Sequence, residues 1–83
     1  MIVQYVRDEN RNPFAVVVAT DRNEIGVAAC NPKDKFNKKI GRMIAAGRAK
    51  SDKHWTHYVI DDRIDDVYDV VHSIRDRSVR YYK

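Results

Sequence analysis

The sequence is poor in everything that staples, breaks or anchors a chain. It has one cysteine, two prolines, three glycines and one tryptophan in 83 residues. A lone cysteine cannot cross-link the chain to itself, which excludes a disulfide scaffold and fits a reducing, cytoplasmic setting. The longest apolar run, Phe14 to Ala19, is far too short to span a bilayer. The opening Met1-Ile-Val-Gln-Tyr-Val6 has no basic n-region, so no secretory signal is expected there. There is no phosphate-cradling glycine loop, nucleophile elbow or zinc-protease motif. Between Lys35 and Ser51 there is not one acidic residue.

That last absence organises the chain. Residues 1–32 carry a net charge of −1, residues 33–56 carry +6, and residues 57–83 carry −1. The overall +4 therefore comes from the middle, and a localised excess points to an anionic partner more strongly than a diffuse one. With 43% hydrophobic and 34% charged residues, the composition is that of a folded domain. The length predicts one domain, 1–83, with a small core that a partner or a second copy (a homodimer) would help to stabilise.

Three strands are predicted first. Ile2–Arg7 alternates loosely, with Ile2, Gln4 and Val6 on one face and Val3, Tyr5 and Arg7 on the other. Phe14–Thr20 is apolar on both faces and rich in β-branched residues, as a covered central strand would be. Ile25–Cys30 follows a second short turn, which favours an antiparallel meander. Regular alternation puts Ala15, Val17 and Ala19 on one face, and groups Gly26, Ala28 and Cys30 together. Small residues leave room for a helix to lie close.

After Pro32, Asp34 or Asn37 can cap a helix. On a wheel of 3.6 residues per turn, Phe36, Ile40, Met43, Ile44 and Gly47 share a side expected to face the core. Lys38, Lys39, Arg42, Ala45, Ala46 and Ala49 share the other, expected to face solvent. Solvated helices usually mix glutamate with lysine, because opposite charges four residues apart attract. This segment does not. Trp55–Ile60 is expected to form a fourth strand. The last helix has a stripe of Ile64, Val67, Tyr68, Val71, Ile74 and Ser78, widened by Val70, Tyr81 and Tyr82. Asp61, Asp62, Asp65 and Asp66 crowd its start, where Asp61 or Asp62 can cap it, and Arg75, Arg77 and Arg80 its end, matching the helix dipole. The order β-β-β-α-β-α predicts a small α+β domain with both helices on one face of a four-stranded sheet.

Few residues suggest chemistry. Cys30 ends a strand, and His54, His57 and His72 follow it in the chain, so a thiol nucleophile is conceivable, but cysteine is more often a small buried residue. His54 and His57 with Cys30 or Asp61 fall short of the paired spacing of a closed zinc site. The carboxylates from Asp61 to Asp69 are better explained as a cap and a charged helix end. No metal, cofactor or enzymatic activity is expected. The sharper reading is a nucleic-acid or acidic-protein interface built from Lys35, Lys38, Lys39, Arg42, Arg48, Lys50 and Lys53, with Lys33 beside them. Trp55 and Tyr58 follow directly and could stack bases. The plainer alternative is a core Trp55 and lysines that only solubilise.

The segment Ile25-Gly-Val-Ala-Ala-Cys-Asn-Pro-Lys-Asp-Lys-Phe-Asn-Lys-Lys-Ile-Gly-Arg-Met-Ile-Ala-Ala-Gly-Arg-Ala49 resembles one found in small bacteriophage and prophage accessory proteins. There a strand ending in cysteine leads into an Asn-Pro-Lys-Asp-like loop and a basic Phe-x-Lys-Lys-x-Gly stretch. The likeness covers about 25 of the 83 residues. It implies a phage or mobile-element origin and a bacterial host cytoplasm, and carries over no activity and no functional residue. Two function classes follow: an accessory protein binding nucleic acid or a nucleoprotein complex, and a modulator of a host protein acting through the same surface.

Overall fold

A computed structural model describes residues 1–30, 35–51 and 64–82. Strands β1 (Ile2–Arg7), β2 (Pro13–Asp21) and β3 (Glu24–Ala29) precede helices α1 (Lys38–Lys50) and α2 (Ile64–Tyr81). The strands form an antiparallel meander in the order β1-β2-β3. The first connection is held by Asp8, whose carboxylate Oδ1 accepts from the backbone N–H groups of Asn10 and Asn12, both at 2.9 Å. The second turns on Asn23 at φ 59°, a left-handed conformation that asparagine tolerates better than most side chains.

Register explains the layers. Val18 pairs with Val3 and with Gly26, and Val16 with Tyr5 and Ala28, so these side chains share one face. Ala15, Val17 and Ala19 share the other with Val6, Val27 and Ile2. Every residue from Phe14 to Ala19 is buried. A strand apolar on both sides needs cover on both sides. The helices supply it separately: α2 packs Val67, Val71 and Ile74 on the Ala15–Val17–Ala19 face, and α1 packs Ala45 on the Val16–Val18–Ala28 face. The expected pair of helices on one face is therefore corrected to one helix on each. The described residues form a small α+β unit. The expected fourth strand, Trp55–Ile60, lies outside them.

Helix α1 begins where Asn37 Oδ1 accepts the Ile40 backbone N–H at 3.1 Å, the cap expected of that residue and worth about 1 kcal/mol. Its orientation is the reverse of the expectation. Gly41, Ala45 and Ala49 are buried, whereas Ile40, Met43 and Ile44 are 54%, 66% and 43% exposed. Gly47, expected at the packed side, has open space where a β-carbon would project. The cause is Gly26. A β-carbon there would collide with the Ala45 carbonyl oxygen and stand 2.5 Å from the Ala49 backbone nitrogen. The helix backbone lies on the strand, so only small residues fit between, and the bulky ones turn outward.

Helix α2 follows its stripe closely. Val67, Val71, Ile74 and Ser78 are buried, and Val70 and Tyr82 pack beside them. Ser78 Oγ donates to the Arg75 carbonyl at 2.8 Å and accepts the Asn23 N–H at 3.2 Å, tying the β2–β3 turn to the helix. Arg75, which falls in the apolar stripe on the wheel, is exposed.

Candidate nucleic-acid interface

The acid-free segment folds into α1, and the outward surface of that helix is divided lengthwise. Lys39, Arg42 and Lys50 are exposed along one flank; Ile40, Met43 and Ile44 line the other. Spacing fixes which flank looks where, because residues four apart in a helix are neighbours. Arg48 follows Ile44 by one turn, and its Nη1 donates to the Val27 carbonyl on β3 at 2.8 Å. The apolar flank thus lies toward β3. Lys38 precedes Arg42 by one turn, and its Nζ stands 5.2 Å from the centre of the Tyr5 ring on β1. The basic flank thus lies toward β1.

The expected site residues divide accordingly. Lys39, Arg42 and Lys50 come together on the outward flank, and Lys35 is exposed just before the helix. No ion pair to any of these four is found among the described residues. Lys38 is exposed but held over Tyr5, a cation–π contact worth about 0.5–1 kcal/mol at such a site. Arg48 is half-buried and turned to the sheet, so its charge is partly spent on the Val27 carbonyl. Lys33, Lys53, Trp55 and Tyr58 lie outside the described residues, as do His54, His57, Asp61 and Asp62.

The carboxylates are on the other side of the sheet. Asp65, Asp66 and Asp69 are exposed on α2. Asp66 and Asp69 line a shallow groove with Asp8 and Glu9, at the end of β1 farthest from Met1. Tyr5 borders that groove, so Lys38 is the α1 cation nearest to it. Lys39, Arg42 and Lys50 are exposed on α1, which covers the other face of the sheet from α2.

Sequence reasoning assigned no binding role to Arg77, Arg80 and Tyr81. The structure gathers them at the start of β1, where with Met1, Ile2 and Val3 they line an open cleft of about 580 Å³. Tyr81 is 68% exposed, and its ring meets that of Tyr82 edge-to-face at 4.9 Å between centres. Tyr82 is anchored, its hydroxyl donating to the Ala19 carbonyl at 3.2 Å. Burial, then the neighbouring Tyr81 and Asp21, push the Tyr82 phenol above its ordinary pKa of 10.0. The available signal is an arginine-rich helix end running into two adjacent tyrosines, which helical periodicity alone assigns to the core stripe.

Cys30 is half-buried, and its backbone N–H donates to the Phe14 carbonyl at 2.8 Å, continuing the β2–β3 ladder. Among the described residues no cluster of His, Cys, Asp and Glu has the geometry of a metal site. No described helix is long and apolar enough to cross a membrane. Compared with known proteins, the chain matches no family model, no curated sequence and no solved structure.

Proposed function

We propose that this chain is a small non-enzymatic, phage-type accessory protein that binds nucleic acid, alone or within a nucleoprotein complex, through the basic flank of α1. One observation carries the reading. Lys39, Arg42 and Lys50 project together from one helix, with no ion pair among the described residues and the α2 carboxylates on the opposite face. Cations without a carboxylate partner among the described residues suit a phosphate backbone, and such contacts give affinity that falls with salt and ignores base identity. Ala46, short and half-buried between them, lets a backbone approach the helix.

Fluorescence anisotropy with single- and double-stranded DNA and RNA, across a salt series, tests it. Micromolar binding at low salt is expected, with a log–log salt slope of about −2 to −4 if three or four phosphates are contacted. Lys39→Glu/Arg42→Glu should abolish it. An intact, folded protein that binds none of the four at low salt would overturn the reading.

A second reading has its own observation. The exposed Ile40, Met43 and Ile44 beside the basic flank suit a protein partner with an acidic rim and an apolar centre, as a modulator of a host protein would require. A nuclease-treated pull-down from bacterial lysate distinguishes the two. A stoichiometric partner lost in Ile40→Ser/Met43→Ser but retained after nuclease favours this second class.

A further inference from the structure

Among the clefts and charged patches of the described surface, the cleft at the start of β1 stands apart by its lining. No carboxylate is among the described residues that line it, and two arginines flank an exposed aromatic ring. Arg80 is exposed, and Arg77 Nη1 makes only a long contact, 3.4 Å, to Gln4 Oε1. Its volume falls within the ~300–1,000 Å³ typical of ligand clefts. In an edge-to-face pair at least one face of the Tyr81 ring is left clear of Tyr82, and Tyr82 is fixed to the sheet through Ala19. The ring is thus exposed yet held.

Position adds to composition. Val3 lines the cleft, and in the sheet it stands in the same row as Val18 and Gly26. Gly26 is where the Ala45 carbonyl of α1 rests. The cleft therefore lies in the same row as the Gly26–Ala45 contact, at the β1 edge, with its α2 residues on the opposite face of the sheet from α1. The acidic groove sits at the opposite end of the same strand.

We propose that this cleft binds one nucleotide unit of a single-stranded nucleic acid, with Arg77 and Arg80 on the phosphate and an unpaired base against Tyr81. The inference rests on the nucleic-acid reading above and narrows it from any polyanion to single strands. Every base has a flat π face, so stacking on an exposed aromatic ring is tolerant of sequence, but it requires a base free of its partner strand. Because α1 and α2 cover opposite faces of the sheet, a strand that engages both the basic flank and the cleft has to turn around the β1 edge between them.

The test compares a 12-nucleotide oligothymidylate with a 12-base-pair duplex by anisotropy, for the full chain and its variants. Tyr81→Ala should weaken single-strand binding at least fivefold, leave the duplex unchanged, and leave the salt slope unchanged. Tyr81→Trp should restore the affinity. Arg77→Ala and Arg80→Ala should each lower the single-strand slope by roughly 0.7. Thermal melts of each variant confirm that it is folded. If Tyr81→Ala and Arg77→Ala/Arg80→Ala bind the single strand like the parent while Lys39→Glu/Arg42→Glu does not, the cleft is no binding site and the helix reading stands. If the parent binds neither probe, both readings fall together.

Discussion

Gly26 of β3 and Ala45 of α1 meet backbone to backbone, with no room for a side chain at the strand position. That contact decides which way α1 faces, and so which residues the molecule presents to a partner. Gly26→Ala would force a methyl group into the Ala45 carbonyl and the Ala49 nitrogen, neither of which can swing aside. The cost should lie at or beyond the upper end of the ~1–3 kcal/mol seen for overpacking. Urea unfolding followed by circular dichroism measures it, and a variant as stable as the parent would show that α1 does not rest on this strand.

Gly47 offers the opposite experiment. It lies in the same helix, on the outward surface, with nothing within 4 Å of where a β-carbon would stand. Gly47→Ala should therefore stabilise the protein by about 0.5–1 kcal/mol through helix propensity alone. The same denaturation series checks it.

Ser78 links the ends of the fold. Ser78→Ala removes the acceptor for the Asn23 N–H and leaves the left-handed turn residue without that partner. A loss of about 1–2 kcal/mol is expected. Amide exchange at Asn23 should quicken more than exchange in β1, which does not share that bond.

Tyr82 contributes to how stability falls at alkaline pH. Its phenol is pushed above its ordinary pKa, so the folded state favours the neutral form. The associated stability is fully present below pH 10 and is lost as pH rises through the folded pKa. Tyr82→Phe should cost about 0.5–1.5 kcal/mol at neutral pH by removing the bond to Ala19. Above pH 10 its melting temperature should fall less steeply than the parent's, which a pH series of thermal melts would show.

Substitutions at Ile40 and Met43 separate surface from core. Ile40→Ser and Met43→Ser should change stability by no more than about 0.5 kcal/mol, since both side chains are mostly exposed. A larger loss would mean that these residues pack inward after all.

The strands were legible because β-branched runs and short turns leave few alternatives. Phe14–Ala19 announced a strand covered twice, yet both helices were expected on one face, and only the register of the small residues shows one on each. Helix α2 was legible because its apolar stripe is made of large residues that do face the core. Helix α1 was not, because hydrophobic size misleads when backbones touch. The informative pattern was Gly41, Ala45 and Ala49, four apart, matched by Gly26 and Ala28 on the sheet. Lys39, Arg42 and Lys50 share the outward flank, whereas Lys38 is held over Tyr5, Arg48 is turned to the sheet, and Lys53 lies outside the described residues. A side chain's bond to a distant carbonyl has no trace in local sequence. The cleft at Arg77, Arg80 and Tyr81 joins residues from both ends of the chain, so no window along it could reveal the grouping.

Arg48 has one more consequence. A strand at the border of a sheet invites pairing by a foreign chain, and chains so joined can polymerise. The guanidinium seated on the Val27 carbonyl occupies a rung that an incoming strand would need. Among the described residues β3 borders the sheet, so there the Arg48 guanidinium stands where a strand added at Val27 would have to bond.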